Sequence, residues 1–158
     1  MSQLRGRSVY SKLVAALIIL ATAFPAWASL GGDTASIQAD QLHMRGSRTI
    51  KAAESFAVHE IQSASGTVVR EYLSPDGKVF AVTWNGRWMP DLRQLLGGCF
   101  EQYRAAVQPL SGARVVRRPI VIDQPGLVVQ IGGHIRAFSG RAYVPEMLPS
   151  GVRAEDIQ

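Results

Sequence analysis

Apolar and polar positions alternate along much of residues 55–84, and this spacing is typical of β-strands. Three runs rich in β-branched and aromatic residues follow one another there, SFAVHEIQ, TVVREYLS and KVFAVTW. The tetrapeptide SPDG separates the last two runs, with Pro75 where its ring fixes φ and Gly77 where φ must be positive. The pattern predicts three antiparallel strands, the last two joined by a type I turn with a glycine bulge.

This turn also predicts a register for the hairpin. Counting outward from it predicts four facing pairs: Leu73 with Val79, Tyr72 with Phe80, Arg70 with Val82, and Val68 with Trp84. All but the first pair share the face that is expected to pack against a core. Pairing Gln62 with Thr67 across the SASG loop places His59 opposite Arg70 on that same face.

Further along, the period changes to that of a helix in PDLRQLLGGCFEQYRAAV. One apolar stripe runs through it, formed by Leu92, Leu95, Leu96, Cys99, Phe100, Tyr103 and Ala106. Pro90 or Asp91 begins this helix, and Gly97–Gly98 is a weak point within it. A shorter helix is predicted before the strands, with Asp33 as its N-cap and Gly46 at its end.

The last third of the chain contains PIVID, GLVVQI and HIRAFSGRAYV, which predict three more strands. Gly132–Gly133 predicts a two-residue turn that sets His134 opposite Ile131 and Arg136 opposite Val129. The predicted fold class is α+β, with an antiparallel sheet in the order helix–βββ–helix–βββ and the helices packed on one face. A chain of 158 residues is long enough for one such core.

The first 28 residues have the pattern of a secretory signal peptide. Arg5, Arg7 and Lys12 precede the apolar run LVAALIILATAF, and AWA follows it. We expect cleavage between Ala28 and Ser29, leaving residues 29–158 as a single α+β domain that is periplasmic or secreted. The alternative is an uncleaved anchor, but the apolar run is too short to cross a bilayer.

The charge of the chain changes once the leader is set aside. The net charge is +5 overall, but three basic residues lie in the leader, leaving 14 basic against 12 acidic residues. Beyond Arg117–Arg118 there is no basic cluster, so nucleic acid is not an expected partner. We also expect no membrane association after cleavage, and the sequence is silent on oligomeric state. Cys99 is the only cysteine, which excludes an intramolecular disulfide.

Residues for metal or nucleophilic chemistry are sparse. His43, His59, His134 and Cys99 have no paired spacing, so no metal or other cofactor is expected. Cys99 lies in the apolar stripe, where a thiol acts as a small hydrophobic group, and there is no G-x-S-x-G motif. The neighbouring-strand carboxylates Glu60 and Glu71 are expected to form salt bridges on a solvated face. The sequence therefore favours a protein that is not an enzyme.

Two candidate binding surfaces remain. The first is a cleft that binds a small anion or other ligand, formed by His59, Arg70, Tyr72, His134 and Arg136. Arginine on an apolar face is costly unless it meets an anion. The alternative is that each arginine pairs with an internal acid such as Glu60, Asp91 or Asp123, or extends to the edge.

The second surface is the loop TWNGRWMPDL, and it is expected to contact another envelope or secreted protein. The residues proposed for this contact are Trp84, Arg87, Trp88 and Met89. The alternative is that these side chains fasten the start of the helix to the core. Our first interpretation is a non-enzymatic binding module of the cell envelope, and the second is the small-anion-binding or ligand-binding protein.

Several long runs carry a resemblance to a known family. They are LGGD (residues 30–33), VHEIQSASGTVVREYLSPDGKVFAVTW (58–84), PDLRQLLG (90–97) and QPGLVVQIGGHIRAFSGRAYVPEMLPSGV (124–152). In these runs the chain resembles a bacterial family known as domain of unknown function 2844. The resemblance implies an exported protein without an assigned activity, and it carries over no catalytic residue. Cys99 is not part of the pattern.

Overall fold

The computed structural model describes residues 30–109 and 119–158. The predicted signal peptide, its cleavage site at Ala28 and Ser29, and Arg117–Arg118 lie outside these ranges, so export stays a prediction. Within the described ranges, no helix has both the length and the apolar character needed to cross a bilayer.

Helices and strands follow one another in an α+β arrangement. The elements are α1 (Thr34–His43), β1 (Ser47–Ala52), β2 (Ala57–Gln62), β3 (Val68–Leu73), β4 (Val79–Gly86), α2 (Leu92–Leu96), α3 (Phe100–Val107), β5 (Ile120–Gln124), β6 (Leu127–His134) and β7 (Ala137–Tyr143). Single 3-10 turns span Gly97–Cys99, Pro145–Met147 and Ala154–Asp156. All seven strands form one antiparallel sheet in the order β1-β2-β3-β4-β7-β6-β5. The predicted fold class is confirmed, with one strand more than predicted.

The additional strand is β1, whose sequence SRTIKA has little apolar alternation. It lies at the edge of the sheet and is mostly exposed, including Ile50, which is 57% exposed. Backbone pairing to β2 holds it, from Ser47 opposite Gln62 to Ala52 opposite Ala57. A strand held mainly by backbone hydrogen bonds leaves a weak signal in hydrophobic patterning.

The β3–β4 hairpin has a different register from the one predicted. Leu73 does face Val79, but the register then shifts, so that Tyr72 faces Ala81 and Phe80 is the extra residue of a β-bulge. Val69 therefore faces Trp84, and the predicted pairing of Val68 with Trp84 is wrong. Because neighbouring residues of a strand point to opposite faces, this one-residue shift reverses the face assigned to Val68, Arg70 and Tyr72 relative to Val82 and Trp84.

The helices begin where the sequence predicts. Asp33 caps α1 by accepting from Ala35 N and Ser36 N, and Asp91 caps α2 by accepting from Arg93 N and Gln94 N. The predicted single helix over residues 90–107 is divided, because Gly97 has φ +45° and starts a 3-10 turn. Its apolar stripe is nevertheless continuous along the core.

Both helical segments pack on the same face of the sheet, which we call the helix face. Its buried core joins Ile37 of α1 and Leu95 and Leu96 of α2 to Ile61, Val69, Val82, Trp84, Val129 and Ala142 of the sheet. Phe100, Tyr103 and Ala106 of α3 pack against its margin. The predicted packing of the helices on one face is therefore confirmed.

The opposite face, here the outer face, is partly covered by residues 153–158, the C-terminal strap. Ile157 is 1% exposed and packs with Tyr72 and Phe80 in a second, smaller core. Arg141 of β7 donates through Nη1 to the backbone oxygens of Ala154 (2.6 Å) and Ile157 (3.3 Å). The strap is thus attached to the sheet by both apolar packing and charged hydrogen bonds.

The β6–β7 hairpin turns later than predicted. His134 pairs with Ala137, so Ile135 and Arg136 form the turn, and Arg136 has φ +68°. The predicted turn at Gly132–Gly133 is wrong, since Gly133 instead pairs with Phe138 inside the ladder. A Cβ on Gly133 would lie 2.0 Å from the backbone oxygen of Ala137, so glycine here permits a close approach of two strands.

Candidate functional site

The five residues predicted to form an anion cleft do not come together. His59 faces Glu71 on the helix face, whereas Arg70 faces Glu60 on the outer face. His134 and Arg136 lie at the exposed end of the last hairpin, and His134 Nδ1 lies 3.2 Å from the backbone oxygen of Ile135. The register that placed His59 beside Arg70 is therefore wrong by one residue.

Arg70 and Tyr72 do share the outer face. Arg70 Nε donates to Glu60 Oε2 at 2.8 Å, which is the internal pairing considered as the alternative. The arginine lowers the pKa of Glu60 below its ordinary value, first through that hydrogen bond. Tyr72 is 3% exposed, and its hydroxyl donates to the backbone oxygen of Gln158 and accepts from Gln158 N at 2.9 Å.

Of the predicted partner surface, Trp84 belongs instead to the core. It is 2% exposed and its indole ring lies against the backbone of Gly140, so it is not available to a partner. Arg87, Trp88 and Met89 are exposed, with Trp88 at 59% and Met89 at 38%. The predicted surface therefore begins after Trp84, in the connection between β4 and α2.

Met89 lines a cavity of about 340 Å³, here the Trp88 pocket because Trp88 precedes this lining residue in the chain, although Trp88 is not itself part of the lining. Three segments line it: the end of α1, the β2–β3 loop and the start of α2. Its lining residues are His43, Met44, Arg45, Ser63, Ala64, Ser65, Thr67, Met89, Pro90, Asp91, Gln94 and Leu95. The pocket is thus formed where three connections converge at one end of the helix layer.

Local geometry holds the Trp88 backbone in place. Thr67 Oγ1 donates to the backbone oxygen of Trp88 at 2.9 Å. A Cβ on Gly86 would lie 2.6 Å from the Cα of Thr67, so the small residue at this position lets the two segments meet. On the other side, Ala64 N donates to the backbone oxygen of Met44 at 3.4 Å. The rim is therefore built on backbone contacts, while the Trp88 side chain remains free to project.

The lining of the Trp88 pocket offers apolar and adaptable surface for binding. Met44, Met89, Pro90 and Leu95 provide flexible and apolar surface, and methionine adapts its shape to different contacts. Asp91 is engaged as the N-cap of α2. Among the described residues of this pocket, no nucleophile is hydrogen-bonded to a base, which acid–base or covalent catalysis would require.

A pair of buried carboxyl groups lies between α1 and the sheet. Asp40 and Glu71 are both 0% exposed, and Gln94 Nε2 donates to Asp40 Oδ1. Burial raises the pKa of Asp40 to about 6 and that of Glu71 to about 9, where the negative charge of Asp40 adds to the effect of burial. At neutral pH Glu71 is therefore protonated and can donate a hydrogen bond to Asp40.

Sequence reasoning missed this pair, and its placement of Glu71 on a solvated face is wrong. The shift in the β3–β4 register places Glu71 on the helix face beside Val69 rather than on the predicted solvated face. Nearby, burial lowers the pKa of His59, and the positive charge of Arg48 lowers it further. A signal was present in α1, where Asp40 follows Ile37 by three residues and so shares its buried side.

The remaining candidate groups show no metal or nucleophilic arrangement within the described ranges. No group of three or more His, Cys, Asp or Glu side chains there is arranged to hold a metal ion. Cys99 is half-buried against the core, and burial raises the pKa of its thiol. The thiol is thus largely protonated at neutral pH, as its position in the apolar stripe suggests.

Comparison with known proteins gives one match. The model of a family described as "Protein of unknown function (DUF2844)" matches residues 26–157, which include both described ranges nearly in full. Neither the curated proteins nor the solved structures include a match to this chain. What the protein does has therefore to be argued from its own geometry.

Proposed function

Because the chain belongs to the DUF2844 family, whose description names no activity, we propose from the Trp88 pocket that it is a non-enzymatic binding module. The module binds a partner protein of the cell envelope or a secreted protein, and an apolar side chain of that partner fills the Trp88 pocket. The observation that carries this proposal is the exposed pair Trp88 and Met89, 59% and 38% exposed, of which Met89 lines a cavity of about 340 Å³.

Exposing the large apolar side chains of Trp88 and Met89 to water costs free energy. Burying the exposed part of a tryptophan and of Met89 in an interface is favourable, because apolar area leaves water. Tryptophan and methionine are enriched at protein interfaces, and a pocket beside them offers an anchor for a partner side chain.

The charged residues that line the Trp88 pocket do not favour a strongly charged partner. Arg45 and Asp91 of the pocket lining carry opposite signs, and Asp91 already accepts two backbone hydrogen bonds. A protein segment with an apolar anchor and ordinary polar neighbours is therefore the occupant that fits best.

Crosslinking in the native host is the direct test of this surface. A photoreactive benzoylphenylalanine at position 89 is expected to give discrete adducts of one protein, and the same residue at position 121 is expected to give none of them. Val121 is a matched control because it is 58% exposed but lies on β5, at the sheet edge three strands away from β4. Adding Trp88→Ala is expected to abolish the position-89 adduct and to change stability by less than about 0.5 kcal/mol. Equal adducts from both positions, or an adduct indifferent to Trp88→Ala, would contradict the proposal.

Export is the second part of the proposal. The basic residues, the short apolar run and the AWA sequence before Ser29 support it. Protein recovered from the host is expected to have the mass of residues 29–158. An intact mass that includes residues 1–28 would remove the envelope from the proposal while leaving the Trp88 pocket untouched.

A further inference from the structure

A row of side chains crosses the outer face of the sheet. Cross-strand pairing aligns Glu60 of β2, Arg70 of β3, Thr83 of β4, Arg141 of β7 and Gln130 of β6. Because adjacent strands are roughly 5 Å apart, the backbones of Arg70 and Arg141 lie about 10 Å apart with Thr83 between them. Long arginine side chains at this separation can reach a common ligand that lies between them.

A second cavity, here the arginine cleft, opens over this row. Its volume is about 490 Å³, and its lining includes Arg70, Thr83, Gln130 and Arg141. None of its lining residues is an aspartate or a glutamate. Pro119 and Val121 add apolar surface on the side of β5. The cleft therefore combines two positive charges with an apolar wall.

The two arginines keep donors that the protein does not use. Arg70 engages Glu60 through Nε, and neither of its terminal nitrogens has a partner among the residues that the structure describes. Arg141 donates from Nε to Gln130 Oε1 at 2.9 Å and from Nη1 to the strap, and its Nη2 likewise lacks a partner within the described ranges. Guanidinium groups with free terminal nitrogens bind planar carboxylates through paired hydrogen bonds.

An oxygen acceptor already lies at the centre of the row. The backbone oxygen of Gln158 accepts from Thr83 Oγ1 at 3.3 Å and from the Tyr72 hydroxyl. The strap thereby forms one wall of the cleft and fixes the hydroxyl donors around it. The terminal nitrogens of Arg70 and Nη2 of Arg141 stay available to a ligand.

We propose that the arginine cleft binds a small organic acid, with its carboxylate between Arg70 and Arg141 and its apolar part against Pro119 and Val121. The volume and the apolar wall favour an organic body over a bare inorganic ion. This site is independent of the Trp88 pocket, because no residue lines both cavities. Arg141 was not singled out by sequence reasoning, since its role depends on the register of β7.

The test is a titration followed by NMR, with benzoate, the uncharged analogue benzamide, and inorganic phosphate as probes. Benzoate is expected to give saturable shifts at Thr83 and Arg141, and benzamide to bind at least ten-fold more weakly. Arg70→Gln is expected to weaken benzoate binding at least ten-fold, and Arg70→Lys, which keeps the charge, at least three-fold. The amide spectrum of each variant reports whether it is folded.

Variants of Glu60 and of an exposed ion pair distinguish an effect on the arginine cleft from a general effect on the protein. Glu60→Gln is expected to tighten benzoate binding several-fold, because it removes the carboxylate that competes for Arg70. The exposed pair Arg104–Glu101, joined at 2.5 Å on α3, supplies the matched controls Arg104→Gln and Glu101→Gln, which are expected to change nothing.

Three results would overturn the proposal. The first is equal binding of benzoate and benzamide. The second is saturable binding of phosphate by a protein that does not bind benzoate. The third is an affinity for benzoate that is unchanged in folded Arg70→Gln or Arg70→Lys protein.

Discussion

Replacing Glu71 with glutamine is expected to stabilise the protein at pH 8 by roughly 3 kcal/mol. Glu71 is wholly buried, and neither of its oxygens has a donor within reach among the described residues. Because ionised Glu71 would be an unsatisfied charge beside Asp40, folding at pH 8 requires Glu71 to take up the proton that the unfolded chain has lost, which costs free energy. Glutamine keeps the shape and a donor toward Asp40 but cannot ionise, so it avoids that cost.

The pH dependence follows from the direction of the shift. A carboxyl group whose pKa rises from 4.5 in the unfolded chain to about 9 in the folded one holds more protons when folded between those values. Its contribution to the free energy of unfolding is complete below about pH 4.5 and is lost as the pH rises toward 9. Asp40, whose pKa rises from 3.8 to about 6, adds to the loss at the acidic end of that range.

Chemical denaturation at pH 5, 6, 7 and 8 measures this effect as the difference between variant and native protein. The difference is expected to grow steadily with pH. The lowered pKa of His59 changes the stability with pH in the opposite direction, but it does so in both proteins and cancels in the difference. Glu60→Gln on the neighbouring strand is the matched control, because Glu60 is paired with Arg70 and its pKa is lowered. It is expected to cost less than about 1 kcal/mol with no trend above pH 5. A Glu71→Gln difference that is constant with pH would show that Glu71 is not protonated when folded.

Replacing Gly140 with alanine is expected to destabilise the protein by about 3 kcal/mol. A Cβ at this position would lie 2.3 Å from Cζ2 of Trp84 and 2.7 Å from the backbone oxygen of Gln130. Trp84 is buried in the core of the helix face, so its ring cannot turn away without displacing other side chains. Thermal or denaturant unfolding at one pH measures the loss.

Two further variants make this prediction specific. Gly132→Ala on β6 is the control, because the nearest atom to its added Cβ would be Ser139 Oγ at 3.9 Å, and we expect a change below about 0.5 kcal/mol. Trp84→Phe removes the ring atoms nearest Gly140, and its Nε1 has no partner to lose within the described ranges. The double variant Trp84→Phe, Gly140→Ala is expected to be more stable than the sum of the single changes, by about 1–2 kcal/mol. Additive losses would mean that the Trp84 ring does not limit position 140.

The candidate surfaces could be predicted only in part. Trp88 and Met89 are exposed as a loop rich in aromatic residues suggests, but Trp84, four positions before Trp88, is core. Arg70 lines a cleft, but its partner there is Arg141 rather than His59 or Arg136. Loop composition indicates a surface directly, whereas the grouping of strand residues depends on register, which a single bulge can reverse.

The sequence by itself determined the local elements and their class. Asp33 and Asp91 as N-caps, the apolar stripe of residues 92–106 and the SPDG turn each depend on residues close in the chain, so their chemistry can be read locally. The tertiary structure alone decided that Phe80 is a bulge residue and that Glu71 meets Asp40. It also decided that Arg70 and Arg141 share a cleft. The reason is that strand partners distant in sequence, and the space available between them, fix which face each side chain occupies.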